Sequence, residues 1–378
     1  HKATKDPPNF FFMLTSPPIQ SDCRFCSTVS KANGHDPIGS AWPNDQWFII
    51  EMPQPWESLW VEHPILHLVY DNLIKPLQEQ GIQVRPLIIA PDPDYSTPGH
   101  TRILHYRRPI GPFAQLQKQE FLVPTDQILP LAAALLQQPE QIPQFETYRQ
   151  STEQVRDLMV CTHGNVDVAC ARFGFPIYEQ LRKTYGGKWM SGRVDEWEGG
   201  SVMETPTHPS THPPIYPSTP SPLRVWRCSH FGGHVFAPTL VDLPEGRYWG
   251  HLESEMLDLL VYRNGSVADL RPFYRGWSGL RQFEQIAERE IWMQAGWPWL
   301  DYLKRGETIA TAPTANEDDG ADWAEVRIEY ASPDGSVAGA YTAKIEACGT
   351  VMTQWQSGPD QPMAETKQYR VVQLLREN

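Results

Sequence analysis

Short apolar runs separated by polar turns fill the first half of the chain. Gln46–Met52 (QWFIIEM) reads as a buried strand. From Ile65 to Gln80 the apolar residues fall at Leu66, Leu68, Val69, Leu73, Ile74 and Leu77, close to a helical period. Gly81 closes that helix, and Val84–Ile89, Thr101–Tyr106 and Gln119–Val123 continue the strand series. Thr125 stands where it would cap a helix over Asp126–Gln137. Residues 1–45, rich in Pro, Asn, Asp, Ser and Gly, read mostly as loop. Strands alternating with helices predict an α/β layer unit across this part of the chain.

A second unit starts near Gln154. A strand ends at Leu158–Cys161, a loop follows, and helical patterning runs from Val168 to Tyr185. Pro176 marks either a kink in that helix or its true first turn. Residues 203–222, dense in Pro, Ser and Thr, read as an extended surface insertion. Leu223–Arg227 is a strand, and Val235–Leu240 with Arg247–Leu252 reads as a hairpin about Pro244-Glu245-Gly246. Helical patterns follow near 253–262 and 279–294. Beyond a polar linker with Asn316–Gly320, residues 323–356 alternate like a β-meander, turning at Asp334-Gly335. The sequence carries no internal repeat. The predicted layout is an N-terminal α/β domain over 1–150, a second domain over 151–305 interrupted by the 203–222 insertion, and a β-rich extension over 306–378.

At 378 residues the chain is long enough for two domains, and its 40% hydrophobic and 20% charged residues belong to a globular protein. A formal charge of −13 argues against nucleic acid as a partner and suits docking to a basic protein face. No run approaches the roughly 18–20 apolar residues of a membrane helix. Phe10–Leu14 is too short for the apolar core of a signal peptide. Six cysteines are too sparse for a secreted disulfide scaffold. A reducing, cytoplasmic setting is expected, in which close cysteine pairs point to metal or redox chemistry.

Those cysteines fall as a C-x2-C pair, Cys23 and Cys26, a C-x8-C pair, Cys161 and Cys170, and two isolated residues, Cys228 and Cys348. The eight residues between Cys161 and Cys170 bracket a loop, which sets Cys170 at the start of the next helix. There the helix dipole favours a thiolate. A second segment, His230-Phe-Gly-Gly-His234, spaces two imidazoles by four residues. Two adjacent glycines, at about 1 kcal/mol each relative to alanine, disfavour a helix there and predict a tight turn around a bulky group. Thiolates and imidazoles together suit zinc or an iron–sulfur cluster.

At CTHGNVDVACARFG (161–174) and RCSHFGGHVFAP (227–238) the chain resembles the sucrase/ferredoxin-like family. LPEGRYWGH (243–251) fits as well, and DCRFCSTVSKANGHDPIGSA (22–41) fits less sharply. The resemblance covers most of residues 20–305 and implies a thioredoxin-like ferredoxin domain over 151–305. It also implies a [2Fe–2S] cluster held by Cys161, Cys170, His230 and His234, with the cysteines on one iron and the histidines on the other. Such a protein would carry single electrons between a reductase and an acceptor, a redox carrier more than a substrate-converting enzyme. Replacing two thiolates by neutral imidazoles raises a cluster's potential, and a titrating histidine couples electron uptake to a proton.

Three other readings compete. Cys161, His163, Cys228 and His230 echo the two boxes of a Rieske centre, though the boxes are far apart and the second lacks a C-x2-H step. A Cys2His2 zinc site would make a colourless, metal-stapled interaction module. A dithiol–disulfide oxidoreductase would rest on Cys23 and Cys26, yet no strand precedes that pair. The family name also carries an association with sucrose cleavage, for which no motif shows the carboxylate pair a glycosidase needs. Among other candidates, Asp167 reads as a helix cap, Arg172 as a surface or cluster-balancing charge, and His163 as a loop residue outside the ligand set. Trp292, Trp297 and Trp299 read as packing, and His208 and His212 as exposed histidines of the insertion.

Overall fold

The computed structural model describes residues 24–56, 59–187, 222–314 and 320–377. Nine strands form one mixed sheet: β1 (Gln46–Glu51), β2 (Val84–Ile89), β3 (Thr101–Arg107), β4 (Gln117–Val123), β5 (Arg156–Cys161), β6 (Leu223–Cys228), β7 (Leu240–Leu243), β8 (Arg247–Trp249) and β9 (Tyr274–Trp277). Their spatial order is β4-β3-β1-β2-β6-β5-β7-β8-β9. The helices are α1 (Cys26–Ala32), α2 (Leu59–Glu62), α3 (Pro64–Val69), α4 (Lys75–Glu79), α5 (Ile128–Leu136), α6 (Val168–Thr184), α7 (Leu257–Tyr262) and α8 (Gln282–Ala295). The protein is thus mixed α/β, and among the described residues no helix is long and apolar enough to cross a membrane.

The sheet has two halves with one wiring. In the first, β1 and β2 are parallel, β3 lies antiparallel to β1, and β4 antiparallel to β3. In the second, β5 and β6 are parallel, β7 lies antiparallel to β5, and β8 antiparallel to β7. The halves meet where β2 and β6 pair at Ile89 and Cys228. There Ile88 donates its N–H to Ser229 Oγ at 3.0 Å, and Ala90 its N–H to the Arg227 carbonyl at 3.0 Å. The strand order repeats although the residues do not, because burial on both faces asks only for apolar side chains of suitable size.

Packing follows that demand. All six residues of β1 are buried. Trp47 and Ile49 face one apolar cluster with Leu87, Ile89, Leu158 and Val160, while Phe48 and Ile50 face a second beneath α3 and α5. The 65–80 helical pattern is one continuous run, Pro64–Glu79, loosened to a π turn over Tyr70–Ile74. Pro76 has no N–H to give the Asn72 carbonyl, and Gln137 Nε2 donates to that carbonyl instead, at 3.2 Å. Thr125 makes no cap: it opens a 3-10 turn after Pro124, and the α-helix begins at Ile128. Pro176 lies inside α6, which starts eight residues earlier.

Charge is buried where the halves of the sheet are tied. Asp157 on β5 accepts from Arg224 Nε at 2.8 Å, Trp226 Nε1 at 2.8 Å and Tyr106 Oη at 2.6 Å, and it pairs with Lys118. Glu120 on β4 pairs with both Arg224 and Arg102. These partners hold the Asp157 carboxyl below its ordinary range despite its burial.

The extension is a four-stranded antiparallel meander of β10 (Leu303–Thr311), β11 (Trp323–Ala331), β12 (Ala338–Gln354) and β13 (Met363–Glu377). Ala324, Val326, Ile328 and Tyr330 alternate inward along β11, and the last three join the core that includes α8 and Trp299. The β11–β12 hairpin turns at Asp334-Gly335, where Gly335 has φ +71° and Asp334 accepts from the Ser336 N–H at 3.0 Å. Trp292, Trp297 and Trp299 are core residues, in line with the sequence.

Candidate metal centre

Cys161 is the last residue of β5, and Cys170 the third of α6, after a loop of five residues and the cap Asp167. Asp167 Oδ1 accepts from the Ala169 N–H at 2.8 Å, which opens the helix and turns the Cys170 thiol toward the strand end. Gly174, one turn further, lies against the Cys161 carbonyl so closely that a Cβ would meet its oxygen at 2.0 Å. Strand and helix are therefore in backbone contact beside the two thiols.

The histidines come from the turn after β6. Gly232 and Gly233 have φ +98° and +81°, which let the chain fold back on itself between His230 and His234. Arg275 on β9 clamps this turn. Its Nη1 donates to the Gly232 carbonyl at 3.0 Å, its Nη2 to the Ser40 carbonyl at 2.8 Å, and its Nε to Ser40 Oγ at 3.0 Å. Burial lowers its pKa to about 10, so the guanidinium stays charged near neutral pH beneath the turn.

Cys161, Cys170 and His230 converge, with donor atoms all within 4.8 Å of one another. His230 Nδ1 lies 3.9 Å from Cys161 Sγ and 3.7 Å from Cys170 Sγ. A thiolate and an imidazole nitrogen on one tetrahedral metal stand about 3.6 Å apart, given bonds near 2.3 and 2.0–2.1 Å. These separations suit donors of one metal ion, and the thiolate–imidazole set suits zinc or an iron–sulfur cluster alike. The Cys170 thiol donates to the Cys161 sulfur, which holds Cys161 below the usual thiol range and pushes Cys170 above it. Both sulfurs are buried while both imidazoles are half-buried, so the thiols sit inside and the histidines toward solvent.

His234 lies beside this group, its ring centroid 5.6 Å from that of His230. Its Nδ1 is 3.5 Å from Cys26 Sγ and 3.6 Å from Asp167 Oδ2. Burial lowers the His234 pKa, with the Asp167 carboxylate pulling the other way. Cys26 opens α1 and is fully buried, and burial pushes its thiol up to about 11. The long β12–β13 connection reaches the same spot: the Ser357 N–H donates to Asp167 Oδ2 at 2.7 Å and Ser357 Oγ to Oδ1 at 2.6 Å.

Other sequence candidates fall elsewhere. Cys228 is buried opposite Cys161 in the β5–β6 register, and His163 stacks edge-on against Trp56 at 5.8 Å. Neither joins a metal-capable group among the described residues, which leaves the Rieske-like set without its geometry. Arg172 is exposed on α6, and Cys348 is exposed on β12. Cys23, His208 and His212 lie outside the described residues. Sequence reasoning did not find Arg275 or Ser357, and it placed Cys26 in a dithiol apart from this centre. No local spacing links these three to the ligand pairs.

A family model described as Sucrase/ferredoxin-like matches residues 37–276, a span holding both cysteine and histidine pairs but neither α1 nor the meander. No curated protein and no solved structure matches the chain.

Proposed function

Because the chain belongs to the sucrase/ferredoxin-like family, we propose that Cys161, Cys170, His230 and His234 hold a [2Fe–2S] cluster and that the protein passes single electrons between a reductase and an acceptor protein. The observation that carries this reading is the convergence of two buried thiols with one imidazole, and a second imidazole 5.6 Å beyond it. When bound, such a cluster supplies a one-electron couple.

This chain's own residues would set the properties of that couple. Two thiolates and two neutral imidazoles leave the centre less negative than four thiolates, which favours reduction. The buried Arg275 guanidinium adds fixed positive charge behind the histidine turn and favours it further. Phe231 and Val235, both buried beside the histidines, exclude water from the inner side. The half-buried imidazoles face outward and offer the short path to a docked partner.

The β-α-β-β-β order of the second half, with β7 antiparallel to its neighbours, supports reading residues 151–305 as a thioredoxin-like domain. The first half repeats that order, and we read residues 1–150 as a related unit that supplies none of these four ligands. The acidic chain would dock to basic faces on its redox partners. A cytoplasmic setting keeps such thiols reduced.

The test is anaerobic purification followed by visible absorption and electron paramagnetic resonance after reduction. A coloured protein giving an S = 1/2 signal on reduction, lost in Cys161→Ala, supports the reading. A colourless protein carrying only zinc overturns it in favour of a structural Cys2His2 site.

A further inference from the structure

A second group of donors abuts the first. Cys26 Sγ, His234 Nδ1 and an Asp167 carboxylate oxygen lie within 4.8 Å of one another. The sulfur–nitrogen separation is 3.5 Å, against about 3.6 Å for a thiolate and an imidazole on one tetrahedral metal. The Cys26 sulfur therefore stands only one coordination edge from the His234 nitrogen whose place it would take.

The thiol is also held there. The Cys26 N–H donates to Ser357 Oγ at 3.1 Å, that hydroxyl lies 3.4 Å from Sγ, and Sγ is 3.6 Å from the His234 carbonyl oxygen. Burial alone does not explain the placement, since Cys228 is equally buried next to Cys161 and belongs to no such group among the described residues. Cys26 and Ser357 both lie outside residues 37–276, the span that the family model matches. The two ends of the described chain thus add Cys26 and Ser357 to Asp167 and His234 of the shared region.

We propose that Cys26 is a fifth donor of the centre, a third sulfur able to take the position of His234. The proposal rests on the cluster reading above. In the exchange Cys26 loses its S–H proton to the imidazole nitrogen that withdraws, its sulfur takes the vacated position, and no electron moves. An anionic sulfur replaces a neutral nitrogen, so the centre becomes harder to reduce. The consequence is a centre with two ligation states, one set by His234 and one by Cys26.

The experiment compares the full-length wild type, Cys26→Ala, His234→Ala and the double variant, each loaded anaerobically with iron and sulfide. Iron per chain, the reduced resonance spectrum and the potential are measured. His234→Ala is expected to keep its iron with a shifted spectrum and a lower potential, and Cys26→Ala to keep the wild-type spectrum. The double variant is expected to hold iron at least about tenfold less tightly against a chelator, since losing even an outer partner of a ligand costs about 10–100-fold. Equal iron loss in His234→Ala and the double variant overturns the proposal, as does full retention in both. Folding is checked by circular dichroism of the iron-free chains, and His234→Gln replaces the alanine variant should that fail to fold. A wild type that takes up no iron sinks the cluster reading first. Cobalt(II) titration of His234→Ala and the double variant then decides the role of Cys26. A thiolate-to-cobalt band stronger in His234→Ala supports it, and identical bands refute it.

Discussion

Replacing Gly174 by alanine probes how the two thiols are brought together. A Cβ at this position would stand 2.0 Å from the Cys161 carbonyl oxygen and 3.1 Å from its carbon. A comfortable contact is about 3.5 Å, so α6 and β5 must part by about 1 Å or more. Neither contact atom is a flexible side-chain end that could swing aside. Overpacking of this kind costs about 1–3 kcal/mol. In an open helical position the same substitution stabilises by about 1 kcal/mol, so the two effects differ in sign. The thiols ride on the two elements being separated, and ligand distances tolerate only about 0.2 Å. Thermal melts of iron-free Gly174→Ala should therefore fall below wild type, and the anaerobically loaded protein should hold less iron. A melt at or above wild type with undiminished iron refutes the claim that this contact fixes the strand–helix spacing.

Other outcomes follow from the same structure. Asp157→Asn leaves the buried cations Arg224, Lys118 and Arg102 to share the Glu120 carboxylate, and urea unfolding should show a loss of about 3–5 kcal/mol; an unshifted midpoint contradicts the network's role. Burial lowers His35 and His105 to about 4 and His251 to about 3, while the unfolded chain takes up these protons near pH 6.5. Between about pH 6.5 and 4 the unfolded state then binds more protons, so stability falls with falling pH by roughly 3 kcal/mol per histidine. Denaturant midpoints measured across that window should show the slope, flattened in His251→Gln; equal slopes contradict the assignment of His251. Ser357→Ala removes the hydroxyl that bonds Asp167 and receives the Cys26 N–H, costing about 1–3 kcal/mol locally. Hydrogen exchange at the β12–β13 connection should rise while iron is kept, and unchanged exchange would show the contact to be idle.

The strands of the first half were legible because each is a short apolar run bounded by turn residues, and β1, β2 and β3 begin where the pattern places them. Boundaries failed where proline acted. Pro76 loosened a helix that periodicity drew as uniform, and the strand expected from Val235 starts only at Leu240, beyond Pro238. The repeated strand order was invisible, since the two halves share burial demands and not residues. At the centre, the C-x8-C and H-x3-H spacings were legible because each pair is local in sequence. Cys26 reaches His234 across 208 positions, and Ser357 reaches Cys26 across 331. Contacts of that span leave no periodic trace. They are set by how α1 and the meander pack onto the sheet.

The ligand chemistry itself can be read directly. Pulsed electron paramagnetic resonance on the reduced protein, prepared with 15N-histidine, reports whether imidazole nitrogens bind the spin centre. Histidine ligation should give strong nitrogen couplings that take the 15N pattern on labelling and weaken in His230→Ala. A reduced cluster without any histidine coupling, or a protein with no paramagnetic iron at all, contradicts it.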